Sequence, residues 1–417
     1  MTTDYVQLRR LFRVVNGGTP TSEPRFWGGD VWWFTPEDLG SGTGRRLTVS
    51  RRTLTAEGQR AAAPDVPKGS LLLSTRAPIG HVGILGVPAS FNQGCRALVP
   101  RVDLDSRYFY WHLVASRGSL NAAGQGSTFV ELSGTALAEF RVRAPAKTEQ
   151  RGTADFLDAE TARIDALVAA RRRQAQLLVT RRASLMFAAV SGALGPPRAR
   201  RPSDLQWLLS LPEDWSELKL TRVARLGSGH TPSRSHPEWW LDCTIPWITT
   251  GEVAQIRDDR REVLLETREN ISEIGLANSA AELRPAGTVV LSRTASAGYS
   301  ALMGTDMATS QDFVTWTCSD RLLPRFLLFC LRAMRSDLLG RLAMGSTHRT
   351  IYFPDIESIR IPLPSVAEQQ RLLDLADEQL AALGPLEAAI DRQITLLRER
   401  RQALITAAVS GRVDVGG

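Results

Sequence analysis

Two long segments of the chain carry apolar side chains in alternating steps of three and four residues, the pattern of helices that pair with other helices. The segments cover residues 145–193 and 364–412 and align without a gap at a constant shift of 219 positions. Of the 49 paired positions, 21 are identical, which is far above chance. The sequence is therefore organised around an internal repeat.

The periodic positions of both segments predict a coiled-coil seam with polar interruptions, which set register at a cost in stability. The predicted seam positions are Ile164, Leu167, Arg171, Gln174, Leu178, Arg181 and Leu185 in the first segment and Leu383, Leu386, Ile390, Gln393, Leu397, Arg400 and Leu404 in the second. Two seams of equal length and register favour an antiparallel coiled coil within the chain. One amphipathic surface helix in each half is the alternative.

The ends of the two predicted helices carry recognisable signals. Ser365 and Glu368 have the spacing of a capping box at the start of the second helix. Gly384 followed by proline predicts a bend near that start, whereas the first helix has Asp-Ala there and is expected to be straighter. Gly192 and Gly411 are the expected C-terminal stops.

The repeat extends upstream of each helix. Gly-Gly-Thr-Pro at 17–20 matches Gly-His-Thr-Pro at 229–232, Trp27 matches Trp239, and Gly-Ser-Thr occurs at 126–128 and 345–347. Strand-like runs lie at 69–74, 82–87, 140–143, 287–292 and 359–363, and helical runs at 108–116 and 325–339. These patterns predict an α+β fold with two homologous mixed α/β modules, dominated by antiparallel strands, each followed by a long helix.

The expected domain organisation follows from these boundaries. The first module occupies residues 1–144 and the first long helix 145–194. A proline- and arginine-rich linker is predicted at 195–210, the second module at 211–363, and the second long helix at 364–417.

Composition indicates an ordinary globular protein with a basic surface. The chain has 43% hydrophobic residues, a net charge of +7 and a sequence pI near 9.7, which favours a polyanionic partner such as nucleic acid. Of 51 basic residues only three are lysine, although a GC-rich genome would produce the same bias. Four cysteines without metal-ligand spacing, and the lack of a signal peptide or long apolar run, predict a cytoplasmic protein.

Motifs for catalysis are missing from the sequence. No lysine stands in a P-loop, and neither a base-methyltransferase motif nor Gly-x-Ser-x-Gly occurs. Glu217-Leu218-Lys219 has the Glu-x-Lys spacing of some nucleases, but a match of this length is expected by chance. We therefore expect a binding protein, with no catalytic residue and no metal site.

The ordered double occurrence of these motifs resembles the specificity subunit of type I restriction–modification systems. The resemblance rests on two Pro-x-x-x-Glu-Gln helix starts at 145 and 364, each preceded by a Gly-Thr-Pro … Trp … Ser-x5-Gly … Gly-Ser-Thr module. Leu-Pro-Glu-Asp-Trp at 211–215 and the two Ala-Val-Ser-Gly endings add to it. The first module lacks the Leu-Pro-x-x-Trp opening.

This resemblance implies two target recognition domains that each recognise half of a split sequence in double-stranded DNA. It implies two methyltransferase (M) subunits and motor-nuclease (R) subunits as partners. It also implies no enzyme activity and no cofactor in this subunit, with S-adenosylmethionine and ATP/Mg bound by the partners.

Comparison of the two modules suggests which residues contact DNA. Residues identical in both modules cannot specify two different half-sites, so they are expected to be scaffold or phosphate contacts: Thr19, Gln93 and Ser127, with Thr231, Gln311 and Ser346. Base contacts are expected where the modules differ, at Arg76, His81, Asn92, Arg96, Arg293, Tyr299, Ser310 and Arg349. Each of these is also compatible with a surface or turn position. Trp33 and Trp247 are expected in the core.

Two other classes of function remain open at this point. One is a stand-alone nuclease that uses Glu217 and Lys219, and it predicts Mg²⁺-dependent cleavage by the isolated chain. The other is a coiled-coil adaptor without DNA contact, which would show no salt-dependent duplex binding.

Overall fold

The computed structural model describes residues 5–40, 45–62, 64–76, 78–124, 131–342 and 350–413. Two compact units divide the chain, one formed by residues 1–171 and 392–417 and the other by residues 172–391. Both boundaries fall inside the long helices. Each unit therefore contains one module, the start of the helix that follows this module, and the end of the other helix.

The first module contains a five-stranded sheet, a three-stranded sheet and a strand pair. In sheet order, the strands are Phe12–Asn16, Cys95–Pro100, Leu71–Ser74, Val82–Leu85 and Arg46–Leu47; then Arg52–Leu54, Trp27–Phe34 and Ser90–Phe91; then Tyr5–Gln7 and Arg141–Arg143. The last pairing of each larger sheet is parallel, and the other described pairings are antiparallel.

The second module repeats this strand order. Its strands, in the same order, are Ala224–Ser228, Phe313–Cys318, Val289–Ser292, Ser300–Met303 and Val263–Leu264; then Glu269–Ile271, Ile245–Ile248 and Ala308–Thr309; then Ser216–Lys219 and Arg360–Leu363. The two parallel pairings recur at the same places. The predicted pair of homologous α+β modules is confirmed, and the predicted strands are present with ends shifted by at most two residues.

Short helices cover the sheets. In the first module they are Leu8–Leu11, Pro36–Gly40, Ala56–Ala62, Ser106–Ala115, Arg117–Ala122 and Gly134–Glu139, with a 3₁₀ turn at Pro24–Phe26. In the second they are Val253–Ile256, Glu273–Ala277, Pro324–Ala333, Arg335–Asp337 and Phe353–Ser358, with 3₁₀ turns at Leu220–Arg222, Pro237–Trp240 and Thr250–Glu252 and a π turn at Leu338–Leu342.

One helix in each module contributes large aromatic side chains to the core. Tyr108 and Phe109 on Ser106–Ala115 belong to the core of the first module, and Phe326 and Phe329 on Pro324–Ala333 to the core of the second. The helical run predicted at 325–339 is confirmed, although it consists of three pieces rather than one regular helix. The regular helix ends at Met334, where the backbone leaves the α conformation, and short turns follow.

The long helices end as the sequence predicts. The first is continuous from Lys147 to Val190, and its 44 residues correspond to about 66 Å. The second is broken at Ala382, next to the Gly-Pro pair, into Val366–Ala381 and Leu383–Val409. Ser365 caps its start by accepting a hydrogen bond from the Glu368 amide. The Glu368 carboxylate is bound by Arg371 and Arg198.

Within each unit the ends of the two long helices pack on one another. In the first unit, Asp165 is bound by Arg401, while Leu157, two turns earlier, clusters with Ile405, one turn later. The two helices therefore run antiparallel there. In the second unit, Leu185 and its neighbours share a core with the helix Val366–Ala381.

Six of the fourteen predicted seam positions are exposed, so the predicted seam was wrong there. Leu167, Gln174 and Arg181, like their equivalents Leu386, Gln393 and Arg400, are exposed. The buried neighbours are Val168 and Arg182 in the first helix and Glu387 in the second. The pattern misled because the periodic spacing favoured Arg181 and Leu386, whereas their neighbours Arg182 and Glu387 are buried as an ion pair with N–O 3.1 Å.

The segment predicted as a linker, residues 195–210, is folded. Arg200–Pro202 pairs antiparallel with Ser210–Pro212, and Leu205 and Leu208 between them are buried in the core of the second unit. Its prolines and arginines suggested a linker, but the apolar side chains between the strands pack in the core of the second unit.

Candidate functional site

The Gly-x-Thr-Pro turns at 17–20 and 229–232 pack against the end of a neighbouring strand in both modules. A Cβ atom on Gly17 would lie 1.9 Å from the carbonyl oxygen of Asn92, and one on Gly229 would lie 2.1 Å from that of Thr309. The amide that follows each glycine donates to the strand end, over 2.9 Å in both modules. Only glycine fits this approach, which explains why both copies begin with it.

The threonine and glutamine predicted as shared contacts come together in each module. The Thr19 hydroxyl donates to the side-chain oxygen of Gln93, and the Thr231 hydroxyl donates to that of Gln311 over 2.6 Å. Both glutamines are exposed. These pairs are the same polar surface element on two modules, as expected for a contact that does not depend on sequence.

Two tryptophans in each module pack together next to the Gly-x-Thr-Pro turn, and the buried one bonds to it. Trp33 and Trp247 are buried, and their indole Nε1 groups donate to the carbonyl oxygens of the turns over 3.0 and 3.3 Å. Their predicted core role is therefore confirmed. The second tryptophan of the pair is Trp27 in the first module and Trp240 in the second, each packed edge-on. The match of Trp27 to Trp239 was off by one residue.

The Ser-x5-Gly loops close in the same way in both modules. Gly80 and Gly298 have φ angles of +86° and +89°, which favour glycine. The amide of Ser74 donates to the carbonyl of His81, and that of Ser292 to the carbonyl of Tyr299, both over 2.8 Å. His81 and Tyr299 therefore occupy equivalent places at the loop end.

A cleft of about 850 Å³ in the first module contains two of the predicted base contacts. Its lining residues are Trp33, Thr35, Pro36, Glu37, Asp38, Gly40, Arg51, Arg52, Pro78, His81 and Asn92. The Asn92 side-chain oxygen accepts from the Gly94 amide over 3.0 Å, and an amide group keeps two donors beyond that bond. His81 and Asn92 thus lie together at the rim of one cavity.

Arg76 and Arg96 share one carboxylate. Arg76 Nε and Arg96 Nη2 lie 3.1 and 3.3 Å from Glu131, and Arg96 also donates to Asn16. Only 13% of the Arg96 side chain is exposed, and burial lowers its pKa. Arg76 is half-exposed and the better placed of the two for an external ligand.

The second module places its candidates differently. Arg293 donates to the carbonyl oxygens of Gln311 and Ile351 over 3.0 and 3.3 Å, and Ser310 is buried beside Asp312. Tyr299 is half-exposed. Arg293 and Ser310 therefore support the module, and Tyr299 is the accessible member. Ser127, Ser346 and Arg349 lie outside the described residues.

Two arginines that the sequence did not single out are stacked on the outer tryptophans. The Arg52 guanidinium carbon lies 3.6 Å from the ring centre of Trp27, and that of Arg234 lies 3.6 Å from Trp240. Arg234 also pairs with Glu269 over 2.9 Å. Because the arginines come from non-equivalent positions, the repeat could not reveal them.

Of the two residues considered for a nuclease, Glu217 is engaged by other protein groups and Lys219 is exposed. Glu217 accepts from Arg201 and from the amide of Asp204. Within the described ranges, no group of three or more His, Cys, Asp or Glu side chains could hold a metal ion. In the same part of the chain, no helix has the length and apolar character needed to cross a membrane.

Comparison with known proteins gives one consistent result. Residues 2–176 and 212–394 match the model of the type I restriction modification DNA specificity domain. The chain is 32% identical over 179 residues to the type I restriction enzyme MjaIX specificity subunit of Methanocaldococcus jannaschii, covering 42% of this chain and 40% of the relative. It is 25% identical over 199 residues to the EcoR124I/EcoR124II specificity subunit of Escherichia coli, covering 46% and 48%. The matches thus span less than half of these two relatives.

Two further matches cover more of the chain. The Escherichia coli type I restriction enzyme EcoBI specificity subunit is 23% identical over 338 residues, or 78% of this chain and 69% of the relative. A solved structure described as the basis of complex assembly and conformational transition of the type I R-M system has a TM-score of 0.69 and 17% identity over 98% of both chains. The latter comparison supports the fold.

Proposed function

Since the chain belongs to the family of type I restriction–modification DNA specificity domains and carries two of them, we propose that it recognises a split sequence in double-stranded DNA. Each module would bind one half of that sequence. The chain would act as the non-catalytic specificity subunit of a DNA methyltransferase, and DNA as the target would place it in the cytoplasm.

The observation that carries this proposal is that the two modules share one backbone structure but present different side chains at the loop ends. The strand order, the glycine turns and the Thr–Gln pairs are the same in both modules. The residues at the loop ends differ, with His81 in one module and Tyr299 in the other. Identical parts can hold two modules on DNA alike, and differing parts can select two different half-sites.

Exposed leucines on the long helices support two equivalent partner sites. Leu167 and Leu177 are 46% and 67% exposed, and their repeat equivalents Leu386 and Leu396 are 54% and 62% exposed. Alanine, glutamine and arginine between and after these leucines are also identical in the two helices. Exposed apolar side chains at equivalent places fit two copies of one partner, which we propose are the methyltransferase subunits.

The chemistry would belong to the partners. The methyltransferase subunits would bind S-adenosylmethionine, and motor-nuclease subunits would bind ATP and Mg²⁺ when they join the complex. This chain would supply sequence recognition and the spacing between the half-sites.

Methylation-aware sequencing of a host genome tests the proposal. With this chain and its methyltransferase expressed, we expect a split motif of two short sequences separated by a fixed number of unspecified bases. Deletion of this chain alone should remove that methylation while leaving the methyltransferase intact. Methylation that persists without the chain, or an unsplit motif, would overturn the proposal.

A further inference from the structure

An arginine at equivalent positions of both modules contacts the residue at the end of the Ser-x5-Gly loop. Arg117 contacts His81, and Arg335, at the same shift of 218 positions, contacts Tyr299. We propose that these two arginines are positioning residues that hold His81 and Tyr299 in the orientation in which they contact bases. This inference rests on the proposed function and extends it to the residues that determine specificity.

The loop glycine leaves the space through which each arginine passes. A Cβ on Gly80 would lie 2.8 Å from Cγ of Arg117, and a Cβ on Gly298 would lie 3.1 Å from Cγ of Arg335. Glycine is therefore needed at this position for two reasons: the φ angle is positive, and a Cβ would obstruct the arginine side chain. The same glycine–arginine contact occurs in both modules and therefore belongs to their shared structure. The residue that the arginine holds differs between the modules.

In the first module the arginine fixes the tautomer of the histidine. Arg117 Nη2 lies 2.7 Å from His81 Nε2. A guanidinium group only donates hydrogen bonds, so Nε2 must accept and the ring proton must be on Nδ1. Burial and the charge of Arg117 both lower the pKa of His81, in agreement with a neutral ring.

A neutral His81 with its proton on Nδ1 carries one donor, on a ring that lines the cleft with Asn92. This Nδ1 lies on the side of the ring that faces Gly40, which also lines the cleft. In the major groove, acceptors such as guanine N7 and O6, adenine N7 and thymine O4 are complementary to such a donor. Without Arg117, the ring could take either tautomer and present a donor or an acceptor. The arginine thus determines which base edge His81 can select.

In the second module the same arginine holds an aromatic ring instead. The Arg335 guanidinium carbon lies 4.7 Å from the ring centre of Tyr299. Both guanidinium arms bind Asp259, over 2.6 and 2.8 Å, and Nε donates to the carbonyl of Gly298 over 2.8 Å. Arginine suits both modules because it can donate to an imidazole and also stack on a phenol ring.

Selection from a DNA pool tests this inference with the full chain bound to its methyltransferase subunit. Duplexes randomised over one half-site, with the other half-site fixed, are selected by the complex and sequenced. We expect His81→Tyr to change the preferred base at one or two positions of the half-site bound by the first module. Arg117→Ala should weaken the preference at the same positions about tenfold, and Arg117→Lys, which keeps a donor to Nε2, should retain most of it.

A double-mutant cycle separates positioning from general support of the fold. In a His81→Ala background, Arg117→Ala should cause no further loss of preference at those positions. Arg335→Ala is the matched control, because it should alter the other half-site only.

Three outcomes overturn the inference: an unchanged motif in His81→Tyr, an Arg117→Ala loss that persists in the His81→Ala background, or a loss spread evenly over both half-sites. If the wild-type complex selects no split motif at all, the proposed function itself fails.

Discussion

The two modules share their strand order and turns but differ in the partners of their surface arginines, which lie beside the outer tryptophans and at the loop ends. In the second module, Arg234 is paired with Glu269 and Arg335 with Asp259. In the first, Arg52 lies over Trp27 without an acidic partner among the described residues, and Arg117 contacts an imidazole. Buried backbone and aromatic contacts maintain the shared strands and turns. The exposed side chains can therefore differ between the modules. This separation is what a protein needs to recognise two sequences with one fold.

The largest effect is expected where both modules need the same glycine. Gly17→Ala would place a Cβ 1.9 Å from the Asn92 carbonyl oxygen, on backbone that cannot yield without moving a strand. We expect a loss of at least about 3 kcal/mol, confined to the first module. Hydrogen exchange measured by mass spectrometry should show faster exchange in residues 5–124.

Gly118→Ala is the matched control for this prediction, because a Cβ there meets no atom within 4 Å. It should leave exchange unchanged or slightly slower, since alanine favours a helix. Equal protection in Gly17→Ala and in the wild type would show that the turn is not part of the shared frame.

The repeat-equivalent arginines Arg182 and Arg401 should differ strongly in importance. Arg182 and Glu387 are 8% and 4% exposed, so Arg182→Ala would leave the buried Glu387 carboxylate with Arg260 as its remaining partner and cost about 3 kcal/mol. The Arg401–Asp165 pair is 28% and 56% exposed, so Asp165→Asn should cost less than about 1 kcal/mol. Denaturant unfolding measures both. Similar losses for the two variants would contradict the assigned seam, and replacing Arg182 and Glu387 together by leucine should restore most of the stability.

The first module should be the more sensitive to acid through His112, whose equivalent in the second module is Cys330. Burial lowers the pKa of His112 to about 4, and its Nε2 accepts from the amide of Arg143. Well above pH 6.5 the His112 ring is neutral in both the folded and the unfolded chain, and its contribution to the free energy of unfolding is complete. It is lost as pH falls from 6.5 towards 4, because the unfolded chain then binds a proton that the folded module excludes.

About 2 kcal/mol of the first module's stability should therefore disappear between pH 7 and pH 4.5. His112→Gln should lower stability at pH 7 and flatten this dependence when hydrogen exchange is compared at the two pH values. An equally steep dependence in the variant would exclude His112 as the origin.

Adjacent leucines on the first long helix should separate stability from assembly. Leu178 packs on the core of the second unit, so Leu178→Asp should lower the melting temperature. Leu177 is exposed, so Leu177→Asp should change stability by less than about 0.5 kcal/mol while reducing co-purification of the methyltransferase subunit. Unchanged capture by Leu177→Asp together with Leu396→Asp would remove the leucine positions from the proposed partner sites.

Much of the fold could be predicted because the sequence contains two copies of it. Positions shared by both copies indicated the glycine turns, the long helices and their ends, whereas the break next to Gly384 was indicated by a Gly-Pro pair that only the second helix has. The seam phase could not be predicted, because the charged pair Arg182 and Glu387 is buried one position after the residues that the periodic pattern favours. The spacing of apolar residues along the sequence does not indicate which charged residues form ion pairs in the folded chain.

The candidate site was less predictable for the same reason. Thr19 and Gln93 could be predicted as shared contacts because both recur in the second module, and the structure adds that they bond to one another. Arg96 was expected at the surface, but Glu131, distant in sequence, holds it inside. Arg52 was missed, since its contact with Trp27 is formed by two separate strands and has no equivalent at the matching positions of the other module.

The most direct test of the account is an exchange of one module, read out by the methylated motif. Replacing residues 1–143 with the corresponding module of another specificity subunit, in the full complex, should change one half of the methylated sequence. The other half and the number of bases between the halves should stay the same, because the second module and the helices are unchanged. A motif altered in both halves, or one altered in neither, would contradict the claim that each module recognises its own half-site.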